Sequence, residues 1–214
     1  PQHSDVGAYY HKLSSSGVAS IEGKMLISSN TYSYAFYSNY LYVGGANSNS
    51  GIIRAYNANG AQVGNGDAYV WDTVEGIYVD ASGVYAILRG NPDGVQLTKF
   101  NHTLGHTWAQ TRTEGVVSSW LYGNLRIAQR DGIISAYFMN GDPGSERVID
   151  HRYSVNGGNE GHYSYTSVQA VQTIAQTPDY DYILPQGKPV ANGQSYGTPP
   201  DVGYNAAVYD SGRD

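Results

Sequence analysis

The sequence predicts an all-β protein made of repeated four-stranded antiparallel sheets, and three observations carry that expectation. The stretch from Glu75 to Trp108 holds four runs of strand length, Ile77–Val79, Val84–Leu88, Val95–Phe100 and one opening at His106. Turns rich in Gly, Asp, Asn and Pro separate them, which is the pattern of a meander. Four of the five glutamates stand in Glu-Gly pairs, at Glu22, Glu75, Glu114 and Glu160. The third strand also recurs, as Gly51-Ile52-Ile53-Arg54-Ala55-Tyr56-Asn57 and as Gly132-Ile133-Ile134-Ser135-Ala136-Tyr137. A unit of about 40 residues repeated in this way is the blade of a small β-propeller, here of four or five blades.

Composition agrees. Hydrophobic residues make up 40% of the 214 residues and charged residues 14%, with 27 Gly and 21 Tyr. Aromatic and β-branched side chains in this quantity can build a packed all-β core, so a folded chain rather than a disordered one is expected. No apolar run is long enough for a membrane helix. With no cysteine, disulfides, thiolate catalysis and Cys-ligated metals are excluded. The net charge of −6 argues against nucleic acid, because phosphate neutralisation needs clustered Lys and Arg. A start at Pro1 rather than Met, and few Lys or Glu beside much Tyr, Asn, Ser and Gly, predict a secreted or surface-displayed protein.

In chain order, residues 1–21 read as the last hairpin of a unit lacking its first half, a closing or exchanged piece. The blade-like units are 22–72, 73–112, 113–159 and 160–214. In the first, Tyr32, Tyr34, Phe36, Tyr37 and Tyr40 crowd a nearly uncharged stretch beside Asn47 and Asn49. Sheet packing is one use for such rings; a platform on which sugars stack, with amides to bond their hydroxyls, is the other. In the second unit, Asn101-His102-Thr103 has the form of an N-glycosylation acceptor in a turn. His102 and His106 lie on a hairpin, not a helix, so their spacing supports no metal site. In the third, the acidic turn 140–146 lacks the regular ligand spacing of a calcium loop and reads as a plain turn. The fourth unit is the least regular and turns Pro- and Gly-rich after Leu184.

The pieces Leu41-Tyr42-Val43-Gly44-Gly45 and Arg54-Ala55-Tyr56-Asn57-Ala58-Asn59-Gly60 resemble bacterial propeller repeats of the SBBP and delta-60 type. That resemblance implies a propeller fold and an extracellular setting, without an assigned enzymatic activity.

Chemistry-bearing constellations are few. No G-x-S-x-G elbow places a Ser-His-Asp triad. If each Glu-Gly pair opens the innermost strand of its unit, Glu22, Glu75, Glu114 and Glu160 form a carboxylate ring that would hold a divalent cation such as calcium. Glutamates at solvent-facing corners are the plainer alternative. The function expected is a non-catalytic binding or adhesion module for glycans or glycoproteins, using Tyr32, Tyr34, Tyr37, Tyr40, Asn47 and Asn49, with no cofactor. Two alternatives stand beside it. One is a structural subunit that assembles with copies of itself by strand exchange; the other is a glycoside hydrolase using the acidic ring.

Overall fold

The computed structural model describes residues 8–17, 19–27, 30–47, 50–70, 72–90, 94–112, 126–140, 147–166, 171–176, 181–185, 190–191 and 194–195. Every regular element among them is a β-strand apart from one 3-10 turn, Asp67–Tyr69. The strands are β1 (Ala8–Leu13), β2 (Ala19–Ile27), β3 (Asn30–Tyr37), β4 (Tyr40–Ala46), β5 (Gly51–Asn57) and β6 (Gln62–Asn65). Then come β7 (Thr73–Asp80), β8 (Gly83–Gly90), β9 (Gly94–Phe100), β10 (His106–Arg112), β11 (Arg126–Arg130) and β12 (Ile133–Asn140). The last are β13 (Arg147–Ser154), β14 (Asn159–Thr166), β15 (Val171–Gln176), β16 (Asp181–Pro185), β17 (Val190–Ala191) and β18 (Gln194–Ser195).

They form one two-stranded sheet, β1-β2, and four-stranded sheets in sequence order, β3 to β6, β7 to β10, β11 to β14 and β15 to β18. The fold is therefore all-β and built of several antiparallel meanders, as the turn pattern predicts. The chain divides into two compact units, one of residues 1–92 with 96–111, the other of 112–214 with 93–95.

Within the first unit, alternation along each strand gives the sheet β3 to β6 two working faces. Tyr42, Ile53 and Ala55 point to one side and join Val74, Val84, Ala86, Leu88, Phe100 and Leu104 in the main core. Tyr37, Tyr40, Ile77 and Val79 line its margin. Val43, Ile52 and Tyr56 point to the other side, against Leu26 of β2, with Ala8, Tyr10 and Leu41 around them. The hairpin β1-β2 thus packs by its face on the first four-stranded sheet. The Tyr56 hydroxyl donates to the Leu26 carbonyl at 2.6 Å, and the Tyr10 hydroxyl to the Ala58 carbonyl at 3.0 Å.

One turn is repeated between the third and fourth strands of three sheets. In Asn57–Ala61, Asn101–Gly105 and Ser154–Gly158, the first residue's N–H bonds to the fifth carbonyl and the fourth N–H returns to the first carbonyl. The side chain of the first residue accepts a hydrogen bond from the fifth N–H, at 3.0, 2.8 and 3.0 Å. The fourth residue has positive φ each time: Gly60 at 68°, Gly157 at 87° and, against the steric preference of a residue with a Cβ, Leu104 at 63°. This five-residue turn is the structural repeat of the chain.

Candidate functional site

A second repeated device lies on the first strands. Opposite β4, residues Thr31 and Ser33 pair with the consecutive Gly45 and Gly44, leaving Tyr32 as an extra residue. Opposite β8, Val74 and Gly76 pair with Leu88 and Ile87, leaving Glu75. In the second unit, Gln172 is the extra residue between Val171 and Thr173. Such bulges bend the strand and re-aim the residue they carry. Tyr32 and Glu75 each precede the end of their strand by the same number of residues, and β3 and β7 lie side by side within the first unit.

Glu75 is the side chain of chemical interest. It is 3% exposed, and its Oε1 lies 3.0 Å from an Arg89 Nη2 on β8. A carboxylate taken so far from water has to be compensated, and the facing guanidinium provides that while favouring the ionised form.

The other glutamates do not stand at equivalent positions. Glu22 is on β2, in the two-stranded sheet; Glu160 is exposed on β14, the fourth strand of its sheet; Glu114 lies outside the described residues. The Glu-Gly spacing therefore does not follow the strand repeat, and the carboxylate ring is not formed by one glutamate per first strand. Among the described residues, no group of three or more His, Cys, Asp or Glu side chains could hold a metal ion. The acidic turn 141–146 also lies outside them.

The tyrosine stretch is split between faces. Tyr34 and Phe36 are 69% and 68% exposed and meet edge to face, with ring centroids 6.1 Å apart. Tyr37 points the opposite way, stacked on His102 at 5.0 Å, and Tyr40 turns with Tyr42 toward the main core. Asn47 closes its own loop, its Oδ1 accepting from the Ser50 N–H at 2.8 Å. The side chain of Tyr32 and the whole of Asn49 lie outside the described residues. Residues an odd number apart along a strand cannot share a face, which is why Tyr34 and Tyr37 part.

A different cluster went unnoticed in the sequence. Asp80 Oδ1 accepts from the Ser82 N–H and hydroxyl, the Ser82 hydroxyl meets the Tyr85 hydroxyl at 2.6 Å, and Lys99 Nζ stands 5.1 Å over the Tyr85 ring. The alternation of β8 signals only that Tyr85 opposes Val84; the lysine above it comes from another strand.

No family model matches the chain, and no curated protein matches it. Among solved structures, an α-L-arabinofuranosidase from Clostridium thermocellum ATCC 27405 is similar at 11% identity, with a TM-score of 0.47. The match covers 75% of this chain and 61% of that one, so the chain spans about three fifths of that structure's length. The non-catalytic glycan-binding module expected from the sequence is corrected on the geometry of its tyrosines: Tyr34 is exposed beside Phe36 while Tyr37 and Tyr40 turn toward the main core, so they do not form one platform. At this level the likeness carries no argument about the activity of this chain.

Proposed function

We propose that this protein is a propeller-like hydrolase of glycosidic bonds, its sheets arranged as four or five blades, with Glu75 as a working carboxylate. The observation that supports the reading is the placement of Glu75, on a first-strand bulge, almost wholly buried and facing Arg89 at 3.0 Å. Glycoside hydrolysis uses a pair of carboxyl groups, one protonated to release the leaving group and one ionised as nucleophile or base. A carboxylate opposed by a guanidinium suits the ionised role. Arg89 then orients the carboxylate and limits its rotation.

The test is a broad panel of aryl glycosides incubated with the full chain. Turnover is expected for at least one sugar, with Glu75→Gln lowering kcat by about a hundredfold or more, as for other groups acting directly in the transition state. Near-ultraviolet circular dichroism on the same samples shows whether the isosteric variant keeps its packing. A folded Glu75→Gln protein with unchanged turnover refutes the role of Glu75. A wild-type protein that turns over nothing in the panel refutes the hydrolase.

A further inference from the structure

We propose that Asn101 is a modification site, the acceptor of an N-linked oligosaccharide, independently of any activity at Glu75. Asn101-His102-Thr103 is the one Asn-X-Ser/Thr sequence in the 214 residues. It occupies the turn between β9 and β10, and both Asn101 and Thr103 are exposed. Glycan attachment needs the amide nitrogen of the asparagine, and the turn leaves that atom out of its own hydrogen bonding. Asn101 Oδ1 accepts from the Thr103 N–H at 3.0 Å, the Thr103 hydroxyl at 2.9 Å and the Gly105 N–H at 2.8 Å. All three bonds go to the oxygen. Gly105 leaves the space beside the nitrogen open, since a Cβ there would stand 2.7 Å from Asn101 Nδ2.

The hydroxyl of Thr103 is not demanded by the fold. The same turn in two other sheets has Asn59 and Asn156 at this place, and closes with the same backbone bonds. Between the two exposed residues, His102 is fixed. Its Nε2 lies 2.8 Å from the Asp80 carbonyl, its own carbonyl accepts from the Tyr42 hydroxyl, and its ring stacks on Tyr37. The acceptor asparagine and its threonine are therefore presented at the surface from a rigid base, a setting in which an attached oligosaccharide displaces nothing.

In the transfer, Asn101 Nδ2 attacks C1 of an oligosaccharide carried on a polyprenyl diphosphate. The N–C1 bond forms and the bond from C1 to the diphosphate oxygen breaks. The polyprenyl diphosphate leaves with the electron pair, and one amide proton passes to a base of the transferase.

The experiment is secretion of the full chain from a eukaryotic host, with intact-mass measurement before and after peptide-N-glycosidase. The expected product is heavier than the unmodified chain by an oligosaccharide, and enzymatic release removes that mass except for the small increment left by converting residue 101 from amide to acid. Thr103→Ser retains the added mass. Thr103→Ala loses it while keeping the wild-type far-ultraviolet spectrum, since the turn elsewhere forms without a threonine; Asn101→Gln also loses it. Secretion of wild-type protein at the unmodified mass overturns the proposal. So does an added mass that persists in Thr103→Ala.

Discussion

The Tyr42 hydroxyl donates a 3.0 Å hydrogen bond to the main-chain carbonyl of His102, tying the second strand of one sheet to the repeated turn of the next. Tyr42 is wholly buried, and burial, with the neighbouring Tyr40 and Tyr37 adding to it, pushes its hydroxyl up to about 12. The folded state therefore holds this proton at a pH where the unfolded chain, near 10, has released it. That contribution to stability is complete below pH 10 and is lost as pH rises toward 12. Burial raises Tyr56 and Tyr78 in the same direction. Urea unfolding at pH 8 to 12 should show stability falling across that window. Tyr42→Phe should cost about 1 kcal/mol at pH 8, from the lost hydrogen bond, and flatten the alkaline decline. An unchanged decline in that variant would show that other groups cause it.

Gly44 is a point of close approach between the first two four-stranded sheets. A Cβ there would stand 2.5 Å from Val74 Cγ1 and 2.9 Å from Ile77 Cδ1, both in or beside the main core. Those apolar side chains have little room to retreat, so Gly44→Ala should destabilise by about 1–3 kcal/mol. Gly132→Ala tests the opposite case: nothing lies within 4 Å of its Cβ, but φ is 77°, so only backbone strain of about 1 kcal/mol is expected. Thermal unfolding of both variants checks the order. If Gly44→Ala is the milder, the close approach of the sheets is not what holds that position to glycine.

The hairpin β1-β2 rests on the first four-stranded sheet through a small cluster in which Leu26 is buried. Leu26→Ala should cost about 2–5 kcal/mol if the cluster cannot collapse around the gap. Because the hairpin is held by that face and by the hydroxyls of Tyr10 and Tyr56, amide exchange in residues 19–27 should accelerate more than in β8. Equal acceleration throughout would mean that the hairpin and the sheets unfold as one body.

What was legible in the sequence follows from which signals are local. Alternation and turn chemistry are local, so the meander from Thr73 to Arg112 and the turns after Asn57 and Asn101 could be read directly. The bulges at Tyr32 and Glu75 could not, because an unpaired residue is defined by the partner strand. They also interrupt the regular alternation along β3 and β7. Glu-Gly spacing misled for a related reason. A dipeptide has no memory of its strand, and Glu75 and Glu160 fall on the first and the fourth strand of their sheets. Arg89 as the partner of Glu75 was equally hidden, being fixed by the register of β7 on β8.

The carboxylate of Asp67 does two jobs that mutation can separate. Its Oδ1 accepts from the Ile53 N–H at 2.9 Å, while its Oδ2 faces Arg54 Nη2 at 2.9 Å and Nε at 3.2 Å. The adjoining Gly66 N–H returns to the Ile53 carbonyl at 3.0 Å, so this short turn satisfies the backbone of β5 where β6 has ended. Ile53 is wholly buried, and its N–H would find no water if the acceptor were removed. The ion pair is different: both side chains remain over a quarter exposed, and pairs of that kind contribute about 1 kcal/mol or less. Asp67→Ala should therefore be the most damaging change, at about 2–3 kcal/mol, combining an unmet buried donor with the lost pair. Asp67→Asn keeps an oxygen for Ile53 and should cost about 1 kcal/mol, and Arg54→Ala should fall in the same range. Urea unfolding of the three variants ranks them directly. Should Arg54→Ala prove as costly as Asp67→Ala, the ion pair rather than the backbone bond is what closes this end of the sheet.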